Sequence, residues 1–344
     1  MGSSTSKEVY YLPAFEEDQL PSLEKKTIAI TGTTSGTGLV CAKVCVRKGA
    51  KHVLLLNRPS ERAIKAEEEI RAELKDDQNT IVETIPCDLQ DFTSVQIAAQ
   101  QIKDKCTSLD VLVNNAGIMA MDDTVTKDGY DIQMQTNHLS HFLLTKELFP
   151  LLQKAATANN STSRIVNHSS MARKGGPLEA ARYLGKQQHN NGGGAEIGQL
   201  GGNGLAAKWE RYHQSKLANV VFTVALAEKI NASTTNRNIK AVCAAPGYAI
   251  TNLQTTSQGM GGFLWSRRFF GQSQEDGTMP LLQACFGPST DNGDFWEPSL
   301  RFNTIGPAQK VDLSVESTTD TEQTSREALW KASEAACGPF SLAE

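Results

Sequence analysis

Six short apolar runs punctuate the first 245 residues: TIAIT (27–31), HVLLL (52–56), TIVETI (80–85), DVLVNN (110–115), RIVNHS (164–169) and KAVCAA (240–245). Between them lie amphipathic stretches with helical periodicity near 37–49, 59–76, 91–106, 130–157 and 209–231. A strand that is apolar along nearly its whole length has no face to give to water, so both faces must be covered. Strands of that kind separated by helices predict a parallel sheet with helices on either side. Right-handed crossovers then wind it in two directions. The predicted fold is therefore α/β, a Rossmann-type doubly wound parallel sheet in a single domain.

The rhythm is absent or broken in three places. Residues 1–25 are polar and aperiodic and read as a loosely attached N-terminal arm, with the domain running from 26 to 344. The segment 171–211 holds ten of the chain's 27 glycines, including NNGGGAEIGQLGGNG (190–204), and reads as a long insertion. It is either a flexible surface loop or a substrate loop. The tail 255–344 carries FLWSRRFF (263–270) and an amphipathic SREALWKASEAA (325–336), too short for a second domain, and reads as a C-terminal cap. A length of 344 residues suits one α/β unit with such extensions.

Composition narrows the partners. Lys plus Arg is 34 and Asp plus Glu is 38, a net charge of −4, which leaves no excess of cation for nucleic acid. No run of eighteen apolar residues occurs, so no transmembrane segment is expected. The start MGSSTSKEVYY lacks an apolar or Arg-rich targeting pattern, and a cytoplasmic location is expected. Met1-Gly2-x-x-x-Ser6 also fits an N-myristoylation start, which would add only weak membrane association. Seven scattered cysteines include no Cys-x-x-Cys pair, and Cys41 and Cys45 read as small core residues. The six histidines lack ligand spacing; His138 and His141 read as packing or capping residues, and no metal is expected.

Three local patterns carry chemistry. The first strand runs into Thr31-Gly32-Thr33-Thr34-Ser35-Gly36-Thr37-Gly38 and then a helix, a turn that lets backbone amides approach a pyrophosphate. The second strand ends in Asn57-Arg58 rather than the acid that would hold an unphosphorylated ribose. Asn57 removes the repulsion of a 2′-phosphate, and Arg58 offers it a planar fork. Tyr212 and Lys216 are four apart on one helical face. Protonating an alkoxide at neutral pH calls for a phenol well below its usual pKa near 10, and a neighbouring ammonium favours the phenolate.

Taken together, the motifs of residues 27 to about 255 resemble the short-chain dehydrogenase/reductase family in its order. Thr31-Gly32-x-x-x-Gly36-x-Gly38 resembles the cofactor turn, Asp88-Leu89 the adenine-contacting pair, and Asn114-Asn115-Ala116-Gly117 the fourth-strand signature. Pro246-Gly247 with Ala249 and Thr251 resembles the segment at the nicotinamide end. Phrases such as TNHLSHFLLTKELFPLL, WERYHQSKLANVVF and APGYAITNL are similar to the retinol-dehydrogenase-like branch, which also includes protochlorophyllide-reductase-like and WW-domain-oxidoreductase-like proteins.

The resemblance implies NADP(H) and a bulky apolar alcohol or carbonyl of retinoid, steroid or apocarotenoid type. It implies Tyr212 as acid/base, Lys216 as its electrostatic partner and ribose ligand, Ser170 on the substrate oxygen and Asn137 ordering a proton-relaying water. Ser169 is the neighbouring alternative to Ser170. The implied cofactor contacts are Gly32, Ser35, Gly36, Thr37, Gly38, Arg58, Asp88, Leu89, Asn115, Ala116, Gly117, Tyr212, Lys216, Pro246, Gly247, Ala249 and Thr251. A protochlorophyllide-type C=C reductase and a non-catalytic NADPH-binding scaffold are the alternatives. A monomer and a homodimer both fit the branch. Ser170 and Tyr212 are separated by 42 positions, a longer interval than the branch leads one to expect, and the glycine-rich insertion supplies the excess.

Overall fold

A computed structural model describes residues 8–76, 78–158, 161–187, 200–249 and 271–342. Its centre is one eight-stranded sheet of order β3-β2-β1-β4-β5-β6-β7-β8. The first six strands are β1 (Thr27–Thr31), β2 (His52–Asn57), β3 (Ile81–Pro86), β4 (Val111–Asn114), β5 (Ser163–His168) and β6 (Ile239–Ala244), all paired in parallel. Each coincides with one apolar run to within two residues at either end. The order reverses direction between β1 and β4, which is where a doubly wound sheet opens its ligand crevice.

Alternate residues of these strands feed two cores. Ala29, Leu54, Leu112, Ile165 and Ala241 pack on one face with the helices Phe92–Lys105, Ser140–Thr157, Leu205–Ala232 and Gln323–Cys337. Ile28, Ile30, Val53, Leu55, Val113 and Val242 pack on the other with Gly36–Arg47, Glu61–Arg71 and Met279–Phe286. That two-sided burial is why the strands read as continuous apolar runs. All seven cysteines are buried and unpaired, Cys41 and Cys45 in the second core. No helix among the described residues is long and apolar enough to cross a membrane.

Two regions depart from the sequence reading. Residues 12–23 are bound to the body: Leu12, Phe15, Leu20 and Leu23 are buried in the second core. The carboxylate of Asp276 accepts from the Tyr10, Tyr11 and Leu12 amides at 2.9–3.0 Å, capping the helix Leu12–Gln19 from a residue far along the chain. No local pattern announces such a partner. The tail contributes two strands, β7 (Phe295–Leu300), parallel to β6, and β8 (Ile305–Val311), antiparallel to β7. Pro298 and Pro307 argue against strands in the sequence. They are tolerated because β8 is an edge and the pairing slips between Pro298 and Leu300. The helix expected near 325–336 is present as Gln323–Cys337.

Candidate active site

At the carboxyl ends of β1, β2, β4, β5 and β6 lies a cleft with a cavity of about 1140 Å³. Its floor is the first strand-to-helix turn. Gly32 and Gly36 there have φ of +71° and +63°, a region that L side chains avoid. A Cβ on Gly38 would stand 2.3 Å from the Gly32 carbonyl oxygen, so that glycine allows the helix Gly36–Arg47 to begin against the turn. Asn57 locks the loop from the side: its Oδ1 accepts from the Thr33 amide at 2.9 Å, and its Nδ2 donates to Thr33 Oγ1 at 2.7 Å.

The expected cofactor residues meet in this cleft. Gly32, Ser35, Gly36, Thr37, Arg58, Asp88 and Leu89 line one half, and Asn115, Ala116, Gly117, Pro246, Gly247 and Ala249 the other. Gly38 supports the turn from behind its lining, and Thr251 lies outside the described residues. Arg58 is exposed at the mouth. Arg62, one helical turn on, also lines the cleft and reaches Ser35 Oγ at 3.4 Å. Sequence reasoning missed it; the Arg-x-x-x-Arg spacing at a helix start was the available signal.

A second buried network joins the turn to β4 and to the helical stretch after residue 131. Thr31 Oγ1 accepts from the Asn115 and Ala116 amides and lies 2.9 Å from His141 Nε2. With two donors already on that oxygen, the Thr31 hydroxyl donates to His141, and His141 Nδ1 donates to the Asn137 carbonyl at 3.0 Å. Burial holds His141 neutral, with its pKa lowered to about 4. His141 is thus a hydrogen-bonded core residue, as expected of a packing histidine.

Asn137 sits fully buried in a π-helical turn, Gln135–Leu139, between the short helix Ile132–Met134 and the helix Ser140–Thr157. Its Oδ1 accepts from the Ile118 amide at 2.8 Å. Its Nδ2 donates to the Ile118 carbonyl and Ser215 Oγ, each at 2.9 Å. The side chain therefore ties the loop after β4 to the helix that carries Tyr212.

Tyr212 is 4% exposed, packed on Met119 and Ala120 and edge-on to Trp209 at 5.7 Å. One helical turn later, Lys216 Nζ donates to the His168 carbonyl at 2.9 Å. Burial lowers its pKa to about 8. The two serines after β5 differ. Ser169 is buried and donates to the Lys216 carbonyl at 2.7 Å, whereas Ser170, half-buried on the cleft wall, has Oγ accepting from the Ala172 amide. The hydroxyl proton of Ser169 is engaged by the helix, whereas the Ser170 side chain lines the cleft.

The ends of the glycine-rich insertion also reach the cleft through Met171, Gly175, Ala206 and Trp209. Two fully buried arginines anchor them. Arg173 pairs with Glu297 at 2.6 Å and Glu316 at 2.9 Å and lies 4.3 Å above the Phe295 ring. Arg211 donates to the Leu200, Gly202 and Met121 carbonyls at 3.0 Å. Residues 188–199 and 250–270, with FLWSRRFF, lie outside the described residues, as do Met1–Ser6 of the acylation pattern. Among the described residues, no group of three or more His, Cys, Asp or Glu side chains could hold a metal ion.

Residues 26–185 match the family model for short chain dehydrogenases. Over 301 residues the chain is 31% identical to a short-chain dehydrogenase/reductase of Armillaria gallica, covering 87% of this chain and 88% of that one. It is 33% identical over 237 residues to retinol dehydrogenase 14 of Mus musculus, covering 66% of this chain and 62% of that protein. A solved structure of an uncharacterized protein from Mycobacterium Paratuberculosis matches with a TM-score of 0.68 and 30% identity, covering 95% of this chain and 98% of that one. Two further relatives at 33% identity are matched over only 65% and 47% of their own length. The chain belongs to the short-chain dehydrogenase/reductase family, in its retinol-dehydrogenase-like branch.

Proposed function

We propose that the protein is an NADP(H)-dependent oxidoreductase that interconverts an alcohol and a carbonyl on a bulky, largely apolar substrate. One observation carries the reading. A single cleft runs from Arg58 and Arg62, past the glycine turn, to Ser170, Tyr212 and Lys216. The glycine cradle fits a pyrophosphate, because a Cβ at Gly32 or Gly38 would meet neighbouring atoms at 2.8 and 2.3 Å. The bound cofactor would supply the hydride for the carbonyl carbon.

This chain's residues handle the oxygen. Ser170 donates a hydrogen bond to it, and Tyr212 delivers the proton as negative charge develops there. Lys216, as an ammonium, favours the tyrosinate left behind and binds the ribose of the nicotinamide half. Asn137 holds the 117–118 backbone against the helix of Tyr212, and the proposed relay water would use the remaining lone pair of its Oδ1. Met119, Met171, Trp209 and Tyr248 give the substrate end an apolar lining suited to a retinoid, steroid or apocarotenoid. The described ends of the segment 171–211, at Met171, Gly175, Ala206 and Trp209, border this lining and are placed to cover it.

Tyr212→Phe keeps the ring and removes the proton. It is expected to abolish turnover while Kd for NADPH stays within a few-fold, measured by NADPH oxidation against a panel of aldehydes and ketones. More than a tenth of wild-type activity would remove Tyr212 from this role. Small polar aldehydes outperforming every apolar carbonyl would overturn the substrate class. Reduction of a conjugated C=C bond, or no turnover despite NADPH binding, would favour a reductase of that type or a scaffold.

A further inference from the structure

His168, the last residue of β5, is 6% exposed, lines the cleft, and stands two residues before Ser170. Its Nδ1 lies 2.9 Å from Asn115 Oδ1. The orientation of that amide is fixed by its other bonds. Asn115 Nδ2 donates to the Thr31 carbonyl at 2.9 Å and the Gly32 carbonyl at 3.2 Å, and Oδ1 accepts from Thr37 Oγ1 at 2.9 Å. An acceptor facing Nδ1 requires the ring to carry its proton there, which leaves Nε2 as a bare acceptor. Among the described residues Nε2 is buried and has no hydrogen-bond partner. Burial and the Lys216 ammonium, itself held by the His168 carbonyl, keep the ring neutral, with its pKa lowered to about 3.

A buried acceptor without a donor is costly unless something supplies one. The ring stands between the Thr37–Asn115 corner of the pyrophosphate turn and the Lys216–Ser170 end. On the cofactor reading above, the group that would span this interval is the ribose of the nicotinamide half. Pyrophosphate oxygens carry no proton at neutral pH and cannot donate to Nε2, whereas ribose hydroxyls can. We propose that His168 is a cofactor-binding residue whose Nε2 accepts a hydrogen bond from a hydroxyl of the nicotinamide-side ribose. This rests on the cofactor reading above, and it adds a polar contact outside the set implied by the family resemblance.

The test compares two ligands on the full chain. NADPH carries the nicotinamide riboside; adenosine 2′-phosphate 5′-diphosphate keeps the adenosine, the 2′-phosphate and the pyrophosphate but lacks it. His168→Leu is expected to raise Kd for NADPH about five- to thirtyfold and to leave Kd for the truncated ligand within twofold. Equal weakening of both ligands, or of neither, would overturn the assignment of His168 while leaving the cofactor reading intact. Failure of the wild type to bind either ligand would overturn both. Should the variant fold poorly, ¹⁵N spectra of the wild-type histidines decide the matter. The His168 Nε2 signal is expected to stay unprotonated and move upfield on NADPH addition. An unmoved signal, or one that becomes protonated as in a salt link to phosphate, overturns the proposal.

Discussion

Arg58 and Arg62 present two guanidinium groups to one end of the cleft, and a planar fork suits a phosphate better than a point charge does. Arg58→Ala is expected to raise Kd for NADPH on the order of tenfold, and the double Arg58→Ala/Arg62→Ala variant further, with Kd for NADH barely changed. Equal weakening of both cofactors in titrations would make the arginines structural. At the other end, the role proposed for Lys216 would set a pH limit. Burial brings its pKa down to about 8, so the ammonium is lost as pH rises through that value. NADPH affinity should therefore decline above about pH 8 in the wild type. In Lys216→Met it should be weaker throughout and flat across that range, as fluorescence titration from pH 6.5 to 9.5 would reveal.

Arg173 welds the turn Met171–Arg173, just after Ser170, to β7 and to the loop beyond β8 through Glu297 and Glu316. Arg173→Met leaves the fully buried Glu297 carboxylate without its counter-charge, while Glu316 keeps Lys174 at 2.7 Å; breaking the buried pair costs roughly 3–5 kcal/mol. Its melting temperature should fall sharply. In whatever fraction folds, kcat/KM for the carbonyl should drop more than NADPH affinity, because the displaced residues adjoin Ser170. The insertion poses a different question. Arg211 and Asp123 grip residues 200–202, so a replacement that tests the cover must spare them. A short linker in place of 188–199 is expected to lower kcat/KM for apolar carbonyls, and an unchanged value would show that this stretch is no cover.

Burial also shapes the acid stability of the whole chain. His138, His141 and His168 are buried, and their pKa values are lowered to about 3, 4 and 3. The unfolded chain takes up their protons below pH 6.5 while the folded one resists, so stability falls as pH drops from about 6.5 toward 4. His138 bonds Ser333 at 2.9 Å and packs against Phe142 and Phe222, away from the cleft. In His138→Leu the fall in unfolding free energy below pH 6.5 should be shallower by up to about 1.4 kcal/mol per pH unit. Denaturant titrations at pH 7, 6 and 5 would check it, parallel slopes counting against the account.

Local chemistry made the central fold legible. Apolar runs mark strands buried on two faces, and the turn glycines, Asn57-Arg58 and Tyr-x-x-x-Lys are fixed spacings on single elements, so one sequence suffices to find them. What depends on distant residues was invisible. Asp276 caps the helix Leu12–Gln19 from across the chain, so the arm read as loose. β7 and β8 carry prolines that only an edge and a register slip accommodate. Arg62, Arg173 and Arg211 look like ordinary surface charges until the strands bring their partners alongside. His168 is one more polar residue in an apolar run until Asn115 fixes its tautomer and the cleft meets its free nitrogen. Spacing along the chain encodes local periodicity and turn geometry; burial, and with it the meaning of a charge or a lone pair, is settled only when the sheet closes.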